Sequence, residues 1–177
     1  MNINSNDWNL AMKFVKDTFD KKSNREEMNG IHLEKEKGSD YILITTLDGY
    51  SASRTALKTS DTNLAFKKTI KEVITLPKNM LIEMELRDSE GPLVFKGNDF
   101  VSATIAFTSP SGVPELFNKL LEVTDEISEI YVNPKLLVKS LRGVNEENVK
   151  ITVGSAVQPI KIESEQGQKL VMPVRKG

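Results

Sequence analysis

The stretch that decides the fold is Tyr131-Val132-Asn133-Pro134-Lys135-Leu136-Leu137-Val138-Lys139-Ser140-Leu141. Ile130-Tyr131-Val132 reads as a short strand. Asn133 is a strong helix N-cap, because its side-chain oxygen can accept from an orphan N–H of the first turn. Pro134 then falls at the first helical position, where a missing N–H costs nothing. Leu136, Leu137 and Leu141 make an apolar stripe, and Gly143 stops the helix. Lys135, Lys139 and Arg142, at i, i+4 and i+7, share the opposite face.

Working outward, three strands follow the helix: Val149 to Val153, Pro159 to Ile162 and Lys169 to Val174. The N-terminal third has the same plan. Ser5, Asn6 and Asp7 are candidate caps for a helix whose apolar positions are Leu10, Ala11, Phe14, Val15, Thr18 and Phe19. Its polar face carries Asn9, Lys13, Lys16 and Asp20. Gly30 to Glu34 and Tyr41 to Thr45 flank a Gly38 turn and read as a hairpin, with a second turn at Asp48-Gly49. Ser51 to Thr59 is a further strand, and Lys67 to Leu76 reads equally as a short helix or a strand. In the middle, Met80 to Leu86 alternates, Asp88 to Pro92 turns, Leu93 to Phe95 returns, and Phe100 to Thr108 is one long β run. Glu115 to Leu121 makes a short helical turn. The order of helix, strands, helix, strands is α+β with largely antiparallel sheet. We read residues 1–177 as one domain, with a helix-hairpin half over 1–60, a strand-rich middle over 61–126 and a second helix-hairpin half over 127–177.

Composition excludes several chemistries. Among 177 residues there are 24 Lys+Arg, 25 Asp+Glu, one His and no Cys. No disulfide scaffold, cysteine nucleophile or Cys-containing zinc site can exist. There is no phosphate-binding glycine motif, no membrane-length apolar run and no secretory leader pattern, so a cytoplasmic location without membrane contact is expected. No cofactor or metal is expected. His32 lies between Ile31 and Leu33 in a strand; if those two face inward, His32 faces solvent as an ordinary surface histidine. Glu83 and Glu85 share a strand face next to Asp88, the residue types that could hold Mg²⁺ for a nuclease. Alternation alone also explains them as the solvated side of a strand.

The helix beginning at Asn133 resembles the segment f-N-x-x-Y-l-l-d-a-L of bacterial DNA polymerase III β subunits, the sliding clamps. Glu147-Asn148-Val149-Lys150-Ile151 follows at the spacing of that family's next strand. Ala156 to Ile162 resembles s-x-P-v-x-I, and Met172-Pro173-Val174-Arg175 resembles the terminal M-P-[MV]-R. Met28 to Leu33 resembles l-x-G-v-x-l, and Tyr41 to Tyr50 resembles the strand entering a-T-D-G-[HY]-R. There Leu47 intervenes between Thr46 and Asp48, and Ser51 stands where the family has Arg. Phe100 to Leu120 resembles the strand and G-x-f-P-x loop that close a clamp domain.

The resemblance implies a clamp-like domain in which two helices pack on sheet and line an inner wall facing double-stranded DNA, with extra central strands. It implies no catalysis. Lys13, Lys16, Lys135, Lys139 and Arg142 would meet phosphates without reading sequence. It also implies a peptide pocket for replication proteins, carried over to Thr46, Gly49, Tyr50, Met172, Pro173, Val174 and Arg175, with Lys176 in place of the family's final Leu. A usual clamp chain has three such domains, so the resemblance leaves three outcomes open for this one: a homo-oligomer assembled as a higher ring, an incomplete paralogue, or a domain that has lost encirclement of DNA. The alternative is a protein-interaction module of clamp fold without a ring, a clamp or replisome modulator of phage or mobile-element type.

Overall fold

The computed structural model describes residues 1–20, 22–86, 91–110, 112–122 and 130–174. Two antiparallel sheets enclose the core. The larger has eight strands, in the order β10 (Lys150–Thr152), β11 (Ile160–Ser164), β12 (Gly167–Val171), β4 (Ser51–Lys58), β3 (Tyr41–Leu47), β2 (Ile31–Lys35), β5 (Phe66–Ile70) and β9 (Ala106–Thr108). The smaller has four: β1 (Asn2–Asn4), β6 (Leu81–Leu86), β7 (Leu93–Gly97) and β8 (Phe100–Thr104). Three α-helices are present among the described residues: α1 (Ser5–Val15), α2 (Val113–Leu121) and α3 (Pro134–Leu141). The α+β, largely antiparallel expectation therefore holds, with one more helix than the two it counted.

The joint that makes the large sheet is β12 against β4, in register from Gly167 opposite Thr55 to Val171 opposite Ser51. Gly167 permits it: a Cβ there would lie 2.2 Å from the carbonyl oxygen of Arg54, a distance no side chain tolerates. The joint brings the last strands beside those of the first third, without the long intervening chain.

Side-chain alternation sorts the two faces of the large sheet. On one face Ile42, Ile44 and Leu57 pack under α1, and Ile160, Ile162 and Val171 pack under Leu136 and Leu137 of α3. On the other, Leu47, Ala52 and Leu170 pack against Val113 and Phe117 of α2. So α1 and α3 share a face, and α2 covers the opposite one. Trp8, fully buried, ties α1 to the small sheet by meeting Phe95 edge-on at 4.9 Å, and its Nε1 donates to the Ile74 carbonyl at 2.9 Å.

Several boundaries differ from the sequence reading. The cap of α1 is Asn4, which accepts from the N–H groups of Asn6 and Asp7, and Ser5 is buried. The helix stops at Val15, short of Phe19. The ambiguous 67–76 stretch is strand to Ile70 and irregular to Leu76. The run from Phe100 to Thr108 breaks at Ile105, because β8 belongs to the small sheet and β9 to the large one. Ile130 to Val132 is not a strand; it is irregular, held to the C-terminal segment by Val174 N–H donating to Tyr131 O at 2.7 Å.

His32 does not face solvent. It points away from Ile31 and Leu33 as alternation requires, but that side is covered too. The ring is buried, with Nδ1 2.8 Å from Thr69 Oγ1 and Nε2 2.8 Å from the Glu27 carbonyl. Burial pulls its pKa below the ordinary histidine value, against the opposing pull of Glu27.

Candidate functional site

The two basic helices lie side by side because the chain turns tightly between α3 and β10. Gly143 adopts φ +82°, and a Cβ there would sit 2.9 Å from the carbonyl oxygen of Lys13. Only glycine lets the end of α3 rest on the last turn of α1. Both helices bury their inward stripes against one sheet face, so their outer faces look the same way. Lys13, Lys16, Lys135 and Arg142 are exposed on that side. Pro134, Lys135, Val138, Lys139 and Arg142 line a shallow groove along α3.

Lys139 belongs to this row by position and to a different structure by contact. Its Nζ donates to Asp48 Oδ2 at 2.8 Å. The other carboxylate oxygen of Asp48 accepts from the N–H groups of Tyr50 and Ser51, at 3.0 and 2.7 Å, and from Ser51 Oγ at 3.0 Å. Burial pushes the Asp48 carboxyl up, but Lys139 and those backbone donors outweigh it and hold it below the ordinary carboxylate range. Asp48 was absent from the residues drawn from the sequence. Its Asp-Gly signal marked a turn, and nothing in it reported a cation 91 residues away.

The same turn meets the C-terminal segment. Met172 donates its N–H to the Tyr50 carbonyl at 2.8 Å, and Val174 donates to Tyr131. Tyr50, Val174 and Tyr131 are 65, 43 and 40% exposed, so an apolar surface lies over this junction. Met172 and Pro173 are half-buried beside it. Gly49 adopts φ +83° over Met28. Thr46 stands apart from this surface: it is buried under α1, where its Oγ1 donates to Val15 O at 3.2 Å. Arg175 and Lys176 lie outside the described residues.

Lys35, Lys68 and Lys169 are buried, none of them anticipated from the sequence, and Lys169 bears on the site. Lys169 of β12 is 1% exposed, its Nζ 4.3 Å from the Phe14 ring centroid and donating to the Arg142 carbonyl at 2.7 Å. Burial lowers its pKa to about 8, against the pull of Asp17. It lies under the seam between α1 and α3. Lysine is read from sequence as solvated, so no signal pointed to it.

Glu83 and Glu85 occupy the outer face of β6, and Glu85 pairs with Lys96 at 2.5 Å. Asp88 lies outside the described residues. Among the described residues no group of three or more His, Asp or Glu side chains is placed to hold a metal ion. No helix among them is long and apolar enough to cross a membrane.

This arrangement of helices and sheets is that of bacterial sliding clamps. No protein-family model matches the sequence, and no curated protein matches it. Among solved structures, the chain is similar to the β chain of DNA polymerase III from Streptococcus pneumoniae, at TM-score 0.77 and 14% identity over 99% of this chain and 64% of that one. It is similar to the sliding clamp of Bacillus subtilis at TM-score 0.75 and 12% identity, over 100% of this chain and 64% of that one. For the Helicobacter pylori β clamp bound to a DNA ligase peptide the values are 0.70 and 15%, over 100% and 67%. The chain has the sliding-clamp fold and spans about two thirds of the length of these clamps.

Proposed function

We propose that this protein is a non-catalytic DNA clamp-like tether, working in the cytoplasm as one folded unit of residues 1–177. The observation that carries the reading is the shared orientation of α1 and α3. Lys13, Lys16, Lys135 and Arg142 form one exposed basic field on a rigid sheet, suited to the evenly spaced phosphates of double-stranded DNA. Contacts to phosphates alone carry no sequence information, so association is independent of sequence. The apolar surface at Tyr50, Met172, Pro173 and Val174, with Gly49 shaping the turn, supports docking of a linear peptide from replication proteins. Arg175 extends that surface by sequence position. Thr46 serves there only as a buried support.

The test is duplex binding followed by fluorescence anisotropy across a salt series. Binding should weaken steeply with salt, and replacing Lys13, Lys16, Lys135 and Arg142 by Ala should reduce both the affinity and the slope. An unchanged slope in that variant would remove the DNA reading.

A second reading is favoured by the Lys139–Asp48 pair. It withdraws one cation from the basic row and braces the peptide surface instead. In that case the chain is a protein-interaction module of clamp fold, a modulator of a clamp or replisome. Peptide binding that is lost in Tyr50→Ala while DNA binding is absent would select it.

A further inference from the structure

His32 is held at both ring nitrogens, and the two contacts are chemically unlike. Nε2 lies 2.8 Å from the Glu27 carbonyl oxygen, which can only accept. Nε2 therefore carries the proton of the neutral ring, and Nδ1 carries the lone pair. Thr69 Oγ1, 2.8 Å from Nδ1, must then donate to it. A hydroxyl has one proton to give, so the 3.0 Å contact between Thr69 Oγ1 and Ser109 Oγ has Ser109 as its donor. Side chains from β2, β5 and the end of β9 thus form one directed relay, from Ser109 to Thr69 to His32 to the Glu27 carbonyl.

The relay separates two cavities. Thr69 lines one of about 500 Å³, together with Asn29, Lys71 and Phe107. His32 and Ser109 line another of about 230 Å³ at the start of α2, together with Glu34, Lys67 and Glu115. Gly112 begins α2 there without a side-chain cap among the described residues.

We infer that this relay is a proton-driven switch: a second proton on His32 reverses both hydroxyl donors, and Ser109 then turns its own O–H into the cavity at the start of α2. Once Nδ1 is protonated, Thr69 Oγ1 accepts from it and swings its hydrogen towards Ser109. Ser109 has to place its hydrogen elsewhere, and Glu34 and Glu115 offer carboxylates in the same cavity. No covalent bond breaks; two hydroxyls turn. The Glu27 carbonyl keeps the Nε2 proton in both states, so the ring stays seated. Three carboxylates stand around the imidazole: Glu27, Glu34 two residues along its own strand, and Glu115 of α2. Against them stand Lys67, which Glu34 already pairs at 2.5 Å, and Arg54, which donates to Thr45 opposite His32. Glu26 and Lys71 face the larger cavity beyond Thr69. The switch thereby links the lone histidine to the helix on the face of the large sheet opposite α1 and α3. It is independent of the DNA and peptide readings, none of whose residues belongs to the relay.

Nitrogen-15 NMR of the full chain tests it, since the two nitrogens of the single ring report separately. Above the midpoint only the Nε2–H tautomer is expected. Thr69→Val removes the acceptor that a protonated Nδ1 needs, so it should lower the His32 midpoint by about one pH unit. Thr69→Ser should restore it. On acidification the backbone amide signals of Val113 and Glu115 should move with the midpoint of the ring. In Ser109→Ala, a change at a half-buried position, they should cease to follow it, with the tautomer unchanged. An Nδ1–H tautomer, or a mixture of the two, would overturn the inference. So would a midpoint unmoved by Thr69→Val, or α2 signals that follow the ring equally well in Ser109→Ala.

Discussion

Lys139 and Asp48 form a partly buried ion pair, 2.8 Å from Nζ to Oδ2, that fastens the outer face of α3 to the β3–β4 turn. Its energetics are unequal. Lys139 makes this contact alone, whereas Asp48 also gathers the N–H groups of Tyr50 and Ser51. Asp48→Ala should therefore lower stability by about 2 kcal/mol and Lys139→Met by less, about 1 kcal/mol. Urea unfolding of the two variants checks the order.

The same pair sets an acid response. Asp48 titrates lower in the folded chain than in the unfolded one, so its contribution is complete above the ordinary carboxylate pKa, about 4. It is lost as pH falls through the native value below that, because the unfolded chain then binds the extra proton. The acid limb of the stability curve should be shallower in Lys139→Met.

Lys169 predicts a slope of the same sign at the alkaline end. Its native pKa is about 8, below the ordinary 10.5. Between those values the unfolded chain holds a proton that the folded chain has released, so stability rises with pH across that window. Lys169→Met should remove this rise and stabilise the protein at neutral pH by roughly 1–2 kcal/mol. The relief of burying a charge exceeds the lost bond to the Arg142 carbonyl. Unfolding at pH 7 and pH 10, wild type against variant, is the measurement.

His32 is the only histidine, so its ring signals in an NMR titration need no assignment. Its midpoint should lie below 6.5, and it should raise on His32 exposure in denaturant. Because the unfolded ring protonates first, folding stability falls as pH drops from about 6.5 towards the native value.

The basic row should not respond uniformly to substitution. Lys135→Ala and Arg142→Ala should each flatten the salt slope of duplex binding by about one unit. Lys139→Ala should flatten it less, since Asp48 already holds that ammonium. Equal effects at all three positions would show that the ion pair yields to phosphate.

Local chemistry made much of this molecule legible. Asn133 caps α3 with Pro134 behind it, Lys135 N–H donating to its side chain at 3.0 Å. Alternation placed Ile82 and Met84 inside and Glu83 outside. What escaped depends on tertiary cover. His32 sits on a second face that is covered as well, its ring meeting Thr69 and the Glu27 carbonyl, and strand alternation cannot tell whether one face of a sheet is covered or both. Asn4 outranks Ser5, Asn6 and Asp7 as cap because β1 ends there, fixing its extended backbone. The break at Ile105 is silent because residues on both sides are equally good strand formers. Lys139 was placed on the correct helix face, yet its partner lies in a turn far away in sequence.

The β4–β12 joint also orders events during synthesis. Strands β2 to β4 are made early, but β4 has no neighbour on its open side until Gly167 to Val171 emerges. Contacts that span more than a hundred residues close slowly, since the entropy of the intervening loop is lost before they form. Until then one edge of β4 stays open while β3 fills the other, and the β11–β12 hairpin acts as the clasp that closes it.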